Sequence, residues 1–343
     1  MNEEAIIQVK DLVKVYRGGV KAVDKVSFDV KKGEIFGFLG PNGAGKTTTI
    51  LMLITLLRPT SGRAMVCGLN AAAKPDEVRV RIGYVSQDIA VDETLTGRQN
   101  LSLQGRFYHL DRETIAKRTQ EVLEMVDLTD RAESLVSTYS GGMRKRLDIA
   151  EGLIHRPSVL FLDEPTLGLD IQTRRRIWEY IRGLRDRDGI TVFMTTHYMD
   201  EADQLCDRIG IIDHGEIVAI GTPAELKTSI GGDLLLLVVE GRPADEATPQ
   251  AEEFAAFLRG LPGVNKVSPT ADGRWLLVVA GGEVTAPRVL ASVTEKGLTV
   301  QSLEMKRPTL DDVFLHYTGR ALRQDEGGGD FQRQRMGLRR ARA

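Results

Sequence analysis

The sequence predicts an α/β domain built on a parallel sheet, followed by a smaller α+β unit. Three observations point there. Residues 159–162 and 191–195 are apolar, β-branched runs without alternation, which suits parallel strands buried on both faces. A glycine-rich loop at residues 40–45 joins an apolar strand to a helical stretch. Beyond Gly231-Gly232, strand and helix signals recur in the order β-α-β-β-α-β, the ferredoxin-like arrangement.

Element by element, residues 6–13 and 26–30 read as strands, and 34–39 is a short apolar run ending at a glycine. Residues 47–57 read as a helix, stopped by Arg58-Pro59 and a Ser61-Gly62 turn. Residues 82–86 are strand-like. From 93 to 130, Leu, Val and Ile recur at three- and four-residue spacings, a helical pattern. Strands alternating with helices argue for an α/β domain over residues 1–230. The mostly helical stretch at about 90–145 reads as a subdomain inserted into it. Within 231–320 the elements are strand 234–239, helix 251–259, strands 264–268 and 275–280, helix 286–295 and strand 298–305. A last helix at 308–317 sets Leu310, Val313, Phe314 and Tyr317 on one face. Residues 321–343, with a glycine run and several arginines, read as a solvated, disordered tail rather than a membrane or partner contact.

Composition narrows the class. With 42 % hydrophobic and 27 % charged residues, the chain can bury an ordinary globular core. Its 46 Lys+Arg nearly cancel 48 Asp+Glu, so no overall charge draws it to nucleic acid or an anionic membrane. Cys67 and Cys206 have neither metal-ligand nor redox spacing and read as thiols in a reducing cytosol. The acidic start Met-Asn-Glu-Glu carries no secretory signal. The most apolar stretch, residues 234–239, falls far short of the ~20 residues that span a bilayer. A transport role therefore requires another chain to supply the path.

Chemistry concentrates in two motifs. Gly40-Pro41-Asn42-Gly43-Ala44-Gly45-Lys46-Thr47 fits G-x-x-x-x-G-K-[ST] between a strand and a helix, the context this phosphate loop requires. Glycines let the backbone curl so that several N–H groups converge, and the helix N-terminus adds favourable potential for an anion. Lys46 is expected to reach the terminal phosphates and Thr47 to bind Mg²⁺, with Thr48 among the nucleotide contacts. The second motif, Val159-Leu-Phe-Leu-Asp163-Glu164, is an apolar strand ending in two carboxylates. Carboxylates are almost never left fully buried and unpaired, so these belong at the strand's exit beside the loop. Asp163 is expected in the Mg²⁺ shell, and Glu164 is expected to orient and deprotonate the attacking water. Elsewhere an Asp-Glu pair after a strand usually starts a helix; downstream of a phosphate loop the chemical reading prevails.

About twenty residues before that strand stands Tyr139-Ser140-Gly141-Gly142-Met143. It resembles the signature sequence of ABC ATPases, most often Leu-Ser-Gly-Gly-Gln. Tyr139 and Met143 depart from that form at the flanks, while Ser140, Gly141 and Gly142 match. The resemblance implies roles for other positions. Tyr16 matches the aromatic ring that stacks on adenine. Gln87 looks like the glutamine that touches Mg²⁺ and faces the membrane partner. Gly168-Leu169-Asp170 resembles the loop that crosses between two ATPase subunits, and His197 matches the histidine at the γ-phosphate. These motifs lie in the family's order over about residues 5–228. Arg307-Pro-Thr-Leu-Asp-Asp-Val-Phe-Leu-His-Tyr-Thr-Gly-Arg320 is similar to the end of daunorubicin-resistance (DrrA-type) ATP-binding subunits.

The resemblance implies a P-loop NTPase fold of the ABC type with a C-terminal accessory or dimerisation domain. It implies an ATPase using ATP and Mg²⁺, in which Ser140 and Gly142 of one copy close over the ATP held by a second copy. The partner would be a separately encoded integral membrane permease, contacted through residues 88–96, with the chain peripheral on the cytoplasmic face of the membrane. The C-terminal likeness favours an exporter of drug-like or lipid-like molecules over an importer. A polysaccharide or peptide cargo stays open, because the ATPase does not form the substrate path. A soluble ABC ATPase acting on nucleic acid or ribosomes is disfavoured by the single ATPase domain, the absence of sustained heptads and the lack of a large basic patch.

Overall fold

In the computed structural model, described over residues 5–241, 244, 249–270 and 273–318, the chain falls into two units. The first holds the described residues up to Glu201 together with Ile212–Ile217. The second holds Ala202–Ile211 and the described residues from Val218 onward.

The first unit begins with antiparallel strands β1 (Ala5–Val15) and β2 (Lys21–Lys31). Alternation at Val26, Phe28 and Val30 turns one face of β2 inward. β3 (Ile35–Leu39) runs into α1 (Lys46–Leu53). α1 ends before the Arg58-Pro59 stop expected from sequence. Thr55 adopts φ 70°, and the amides of Leu56 and Leu57 both donate to Leu51 O at 2.9 and 3.0 Å. This left-handed turn closes the helix's last carbonyls without a glycine. β4 (Ser61–Val66) and β5 (Leu69–Asn70) complete an antiparallel sheet of order β2-β1-β4-β5.

After α2 (Pro75–Arg79) and β6 (Ile82–Val85) come α3 (Gly97–Phe107), α4 (Arg112–Met125) and α5 (Gly141–Leu153). The helical pattern read over 93–130 is thus two helices, because each half carries its own start. Thr96 and Gln99 form a capping box, and Asp111 accepts the Thr114 amide at 2.9 Å. β7 (Val159–Asp163), α6 (Ile171–Asp188) and β8 (Thr191–Thr196) follow. The parallel layer runs β3-β8-β7-β6, with Asp163 opposite Thr195 at its edge of exit. Every residue of β3, β7 and β8 is buried, which is why none of them alternates. Phe193 is the hub of this core, 5.6–5.8 Å from the rings of Phe28, Phe36, Phe38 and Phe161. Phe28 comes from the antiparallel sheet, so one aromatic cluster joins both sheets.

Next along the chain are α7 (Met199–Leu205), β9 (Arg208–Asp213), β10 (Glu216–Gly221) and α8 (Pro223–Thr228). The second unit continues with β11 (Asp233–Val239), α9 (Pro249–Arg259), β12 (Val264–Pro269), β13 (Trp275–Val279), α10 (Gly282–Glu295) and β14 (Val300–Lys306). Its sheet is antiparallel in the order β12-β13-β11-β14, the ferredoxin-like topology read from the sequence. Leu235, Leu237 and Val239 share a core with Phe254, Leu258 and Val289, and Trp275 meets Phe254 edge-on at 5.6 Å. In α11 (Leu310–Thr318), Leu310, Val313 and Phe314 are buried, while Tyr317 stays partly exposed and donates to Ser229 Oγ at 3.0 Å.

Cys67 and Cys206 are free thiols. Among the described residues, no helix is long and apolar enough to cross a membrane. The tail expected at 321–343 lies outside the described residues.

Truncating the hub tests this packing. Phe193→Ala should lower stability by about 3–5 kcal/mol, and Phe193→Leu by far less, in urea unfolding followed by the first unit's tryptophan fluorescence. Equal, small losses would contradict a core centred on this ring.

Candidate active site

β3 delivers the chain into a loop that requires glycine. A Cβ on Gly40 would lie 2.2 Å from Ile212 O, and one on Gly45 would lie 2.4 Å from Ala22 O. Gly43 and Gly45 adopt φ 82° and 107°. The loop is pinned by Ala44 N to Pro41 O at 3.2 Å and by Gly215 N to Ala44 O at 3.0 Å. α1 then opens without a side-chain cap from Gly45, and its first intrahelical bond runs from Thr49 N to Gly45 O at 2.9 Å. The amides of Lys46, Thr47 and Thr48 precede that bond, at the positive end of the helix.

Lys46 is buried across this loop. Its Nζ donates to Gly40 O at 2.8 Å and Pro41 O at 3.2 Å, and it pairs with Glu164 Oε1 at 3.1 Å. On the other side of the carboxylate, His197 Nδ1 lies 3.2 Å from Glu164 Oε2. Burial raises the Glu164 pKa, but the His197 ring and the Lys46 ammonium outweigh it and hold the carboxyl below its ordinary value. Glu164 has φ 48°, rare for a residue with a side chain. Its amide, donating to Thr195 Oγ1 at 3.0 Å and Thr195 O at 3.2 Å, holds that conformation.

Asp163 behaves in the opposite sense. Burial raises its pKa, and the Glu164 charge adds to the rise against the hydroxyls of Thr195 and Thr47. Thr195 Oγ1 donates to Asp163 Oδ1 at 2.5 Å, and Thr47 Oγ1 donates to the same oxygen at 3.4 Å. Thr195 therefore serves both carboxylate residues, accepting from one and donating to the other. The sequence reading missed it, because Thr195 ends a β-branched run that reads simply as strand. Glu201 was also missed. Wholly buried on α7, it accepts from Thr166 Oγ1 at 2.8 Å and Trp178 Nε1 at 2.9 Å, tying the turn after Glu164 to α6.

The remaining predicted residues divide between this cluster and a second one. Tyr16, 41 % exposed, brings its hydroxyl to 3.4 Å from Thr48 Oγ1 and so stands beside the start of α1. Gln87 is half-buried in the bend after β6. Its neighbours are tied to α5: Lys145 Nζ donates to Ser86 O at 2.8 Å, and Ala90 N donates to Asp148 Oδ1 at 3.4 Å. Ser140 caps α5 by accepting from Met143 N at 3.3 Å. Gly141 and Gly142 follow, and a Cβ on Gly142 would lie 2.6 Å from Thr173 Cγ2. The start of α5 thus abuts the start of α6. There Asp170 accepts from Gln172 N and Thr173 N, each at 3.0 Å, and from Thr173 Oγ1 at 2.6 Å. Within the chain, Asp170 is a helix cap at the end of the Gly168-Leu169 loop.

A nucleotide and its metal fit the first cluster. The glycine cradle leaves no room for side chains at Gly40 and Gly45, and a buried ammonium stands at its centre. Thr47 and Asp163 offer two oxygens, the donor type that Mg²⁺ takes. Among the described residues, no group of three or more His, Cys, Asp or Glu could hold a metal alone. Phosphate oxygens and water would complete the shell, as Mg²⁺ sites commonly require.

A family model described as ABC transporter matches residues 23–167, and a model of the DrrA1-3-like ATP-binding protein C-terminal domain matches residues 221–318. The chain is 43 % identical to the daunorubicin/doxorubicin resistance ATP-binding protein DrrA of Streptomyces peucetius, over 91 % of this chain and 92 % of that one. The chain belongs to the ABC transporter family. Within it, this is an ATP-binding protein that hydrolyses ATP. The linearmycin resistance ATP-binding protein LnrL of Bacillus subtilis (strain 168) is 41 % identical over 93 % of this ABC ATPase and 100 % of its own length. An ATP-binding cassette solved as a dimer in a post-hydrolysis state, bound to ADP and Pi, matches with TM-score 0.57 at 28 % identity. That match covers 63 % of this chain and 98 % of the other.

Thr195→Val keeps the shape of this site and removes the shared hydroxyl. It should cost about 1–3 kcal/mol in denaturant unfolding, the penalty of buried partners left unmet, and should lower ATP turnover. Unchanged stability and turnover would contradict the role given to Thr195.

Proposed function

We propose that this ABC ATPase powers an exporter of drug-like or lipid-like molecules, working as two copies that close over two ATP molecules. The observation that carries the hydrolytic part is the clasp on Glu164. A carboxylate held ionised between Lys46 and His197, at the exit of β7, can accept the proton of an attacking water at neutral pH. Lys46 and the amides at the start of α1 bind the terminal phosphates. Thr47 and Asp163, with Gln87, hold Mg²⁺, whose charge offsets that of the phosphates. His197 contacts the γ-phosphate, and Tyr16 stacks on adenine. From the second copy, Ser140 and Gly142 reach the same phosphates at the positive end of α5. Asp170 fixes the loop that meets the other copy.

Several facts support the transport part. The relatives are named for resistance to daunorubicin, doxorubicin and linearmycin, and all are ATP-binding proteins. No described helix of this chain is long and apolar enough to cross a membrane, which accords with a path supplied by a separate permease and an ATPase on its cytoplasmic face. Residues 88–96 make that contact. Residues 231–320 act as an accessory domain that stabilises the pair of ATPase domains formed by residues 1–230. ATP joins the copies and hydrolysis releases them; the cycle does work only because the permease binds the two states differently.

Two substitutions test this. Glu164→Gln should bind ATP, lose about 10²–10⁴-fold in turnover and accumulate an ATP-bound dimer in size-exclusion chromatography. Near-normal turnover would remove Glu164 from the base role. Lys46→Ala should weaken ATP binding in equilibrium titration, and an unchanged affinity would refute the phosphate-loop assignment.

A further inference from the structure

α3 and α4 lie side by side, close enough that a Cβ on Gly105 would fall 2.9 Å from Ile115 Cγ1. Beside that contact opens a groove of about 280 Å³. Helical spacing builds its walls: Arg98, Ser102 and Arg106 stand four residues apart on α3, facing Arg112 and Thr119 on α4. Arg98 is paired with Glu133 at 2.5 Å, which fixes its position. Among the described residues, Arg106 and Arg112 have no carboxylate partner.

Thr119 makes this more than a basic surface. It is 2 % exposed and lines the groove, and its hydroxyl has no hydrogen-bond partner in the protein. Threonines inside helices commonly turn the hydroxyl back to a carbonyl one turn earlier. Here that bond is not made, and a buried hydroxyl without a partner costs stability unless a ligand supplies one.

We propose that this groove binds a phosphate group, separately from the nucleotide site. Guanidinium forks match phosphate oxygens two at a time, which suits Arg106 and Arg112. The Thr119 hydroxyl donates to a phosphate oxygen at the floor. Leu103 and Phe107, both exposed on α3, place apolar surface beside the arginines. That setting suits a phosphate carried on a lipid headgroup as well as a free phosphate, and the two sources are separable by experiment.

The full chain is studied with its nucleotide site saturated by ADP and Mg²⁺. Binding is measured by co-sedimentation with phosphatidylcholine vesicles, with and without phosphatidylglycerol, and by calorimetric titration with inorganic pyrophosphate. The double substitution Arg106→Glu, Arg112→Glu should weaken binding about a hundredfold. Thr119→Val should weaken it about tenfold, and both variants should retain ATPase activity as proof of folding. These losses seen only with phosphatidylglycerol vesicles support a lipid source; seen with pyrophosphate they support a free phosphate. The proposal is overturned if neither probe binds. It is equally overturned if charge reversal weakens binding and Thr119→Val does not, because diffuse attraction would then replace a seated phosphate.

Discussion

A carboxylate buried beside a phosphate loop loses its charge unless something compensates, and the contacts of Glu164 with Lys46 and His197 are that compensation. Burial alone would favour the neutral acid. Asp163, next in sequence and just as buried, shows what happens with weaker compensation: its pKa rises. Two adjacent carboxyl groups are thus driven apart by their surroundings, the arrangement that separates chemical roles in a site. The protein must then hold three side chains from three segments within hydrogen-bonding reach. Lys46 starts α1, Glu164 leaves β7 and His197 follows β8. The parallel register that sets Asp163 opposite Thr195 brings the last two together.

Much of the first unit serves that register. Phe193 packs on rings from both sheets, so β8 cannot slide without opening the core. The glycines at 40 and 45 let the loop touch the backbone at Ile212 and Ala22, which sets the height at which Lys46 enters. Glu201, whose Oε1 accepts from both Thr166 and Trp178, anchors the turn that carries Glu164 toward α6. The same turn ends at Asp170, whose cap organises the start of α6 against Gly142 of α5. Gly142 is therefore packed against the segment that begins at Glu164.

The fold and the core of the site were legible where local chemistry is decisive. The loop glycines and Lys46 carry one pattern, and the carboxylate pair takes its chemical reading from lying downstream of that loop. Strands β3, β7 and β8 announced themselves by unbroken apolar runs, and the ferredoxin-like unit by its element order. What stayed hidden depends on contacts distant in sequence. Thr195 looks like any β-branched strand residue until β7 is laid beside it. Gly142 matched a signature, but its approach to Thr173 appears only when α5 meets α6. The end of α1 rests on Thr55 entering a left-handed turn, for which the sequence offers no glycine as a signal. The split between α3 and α4 was different: Thr96, Gln99 and Asp111 are readable caps that the longer periodic pattern masked.

The charge state of Glu164 is the central claim, and it can be observed directly. Carbon NMR of the chain labelled at glutamate carboxyls, with Glu164 assigned by its loss in Glu164→Gln, follows that one group through acid titration. The account predicts that Glu164 is still mainly carboxylate at pH 4.5, the ordinary value for the side chain. A Glu164 signal more than half protonated at that pH would show that Lys46 and His197 do not hold its charge.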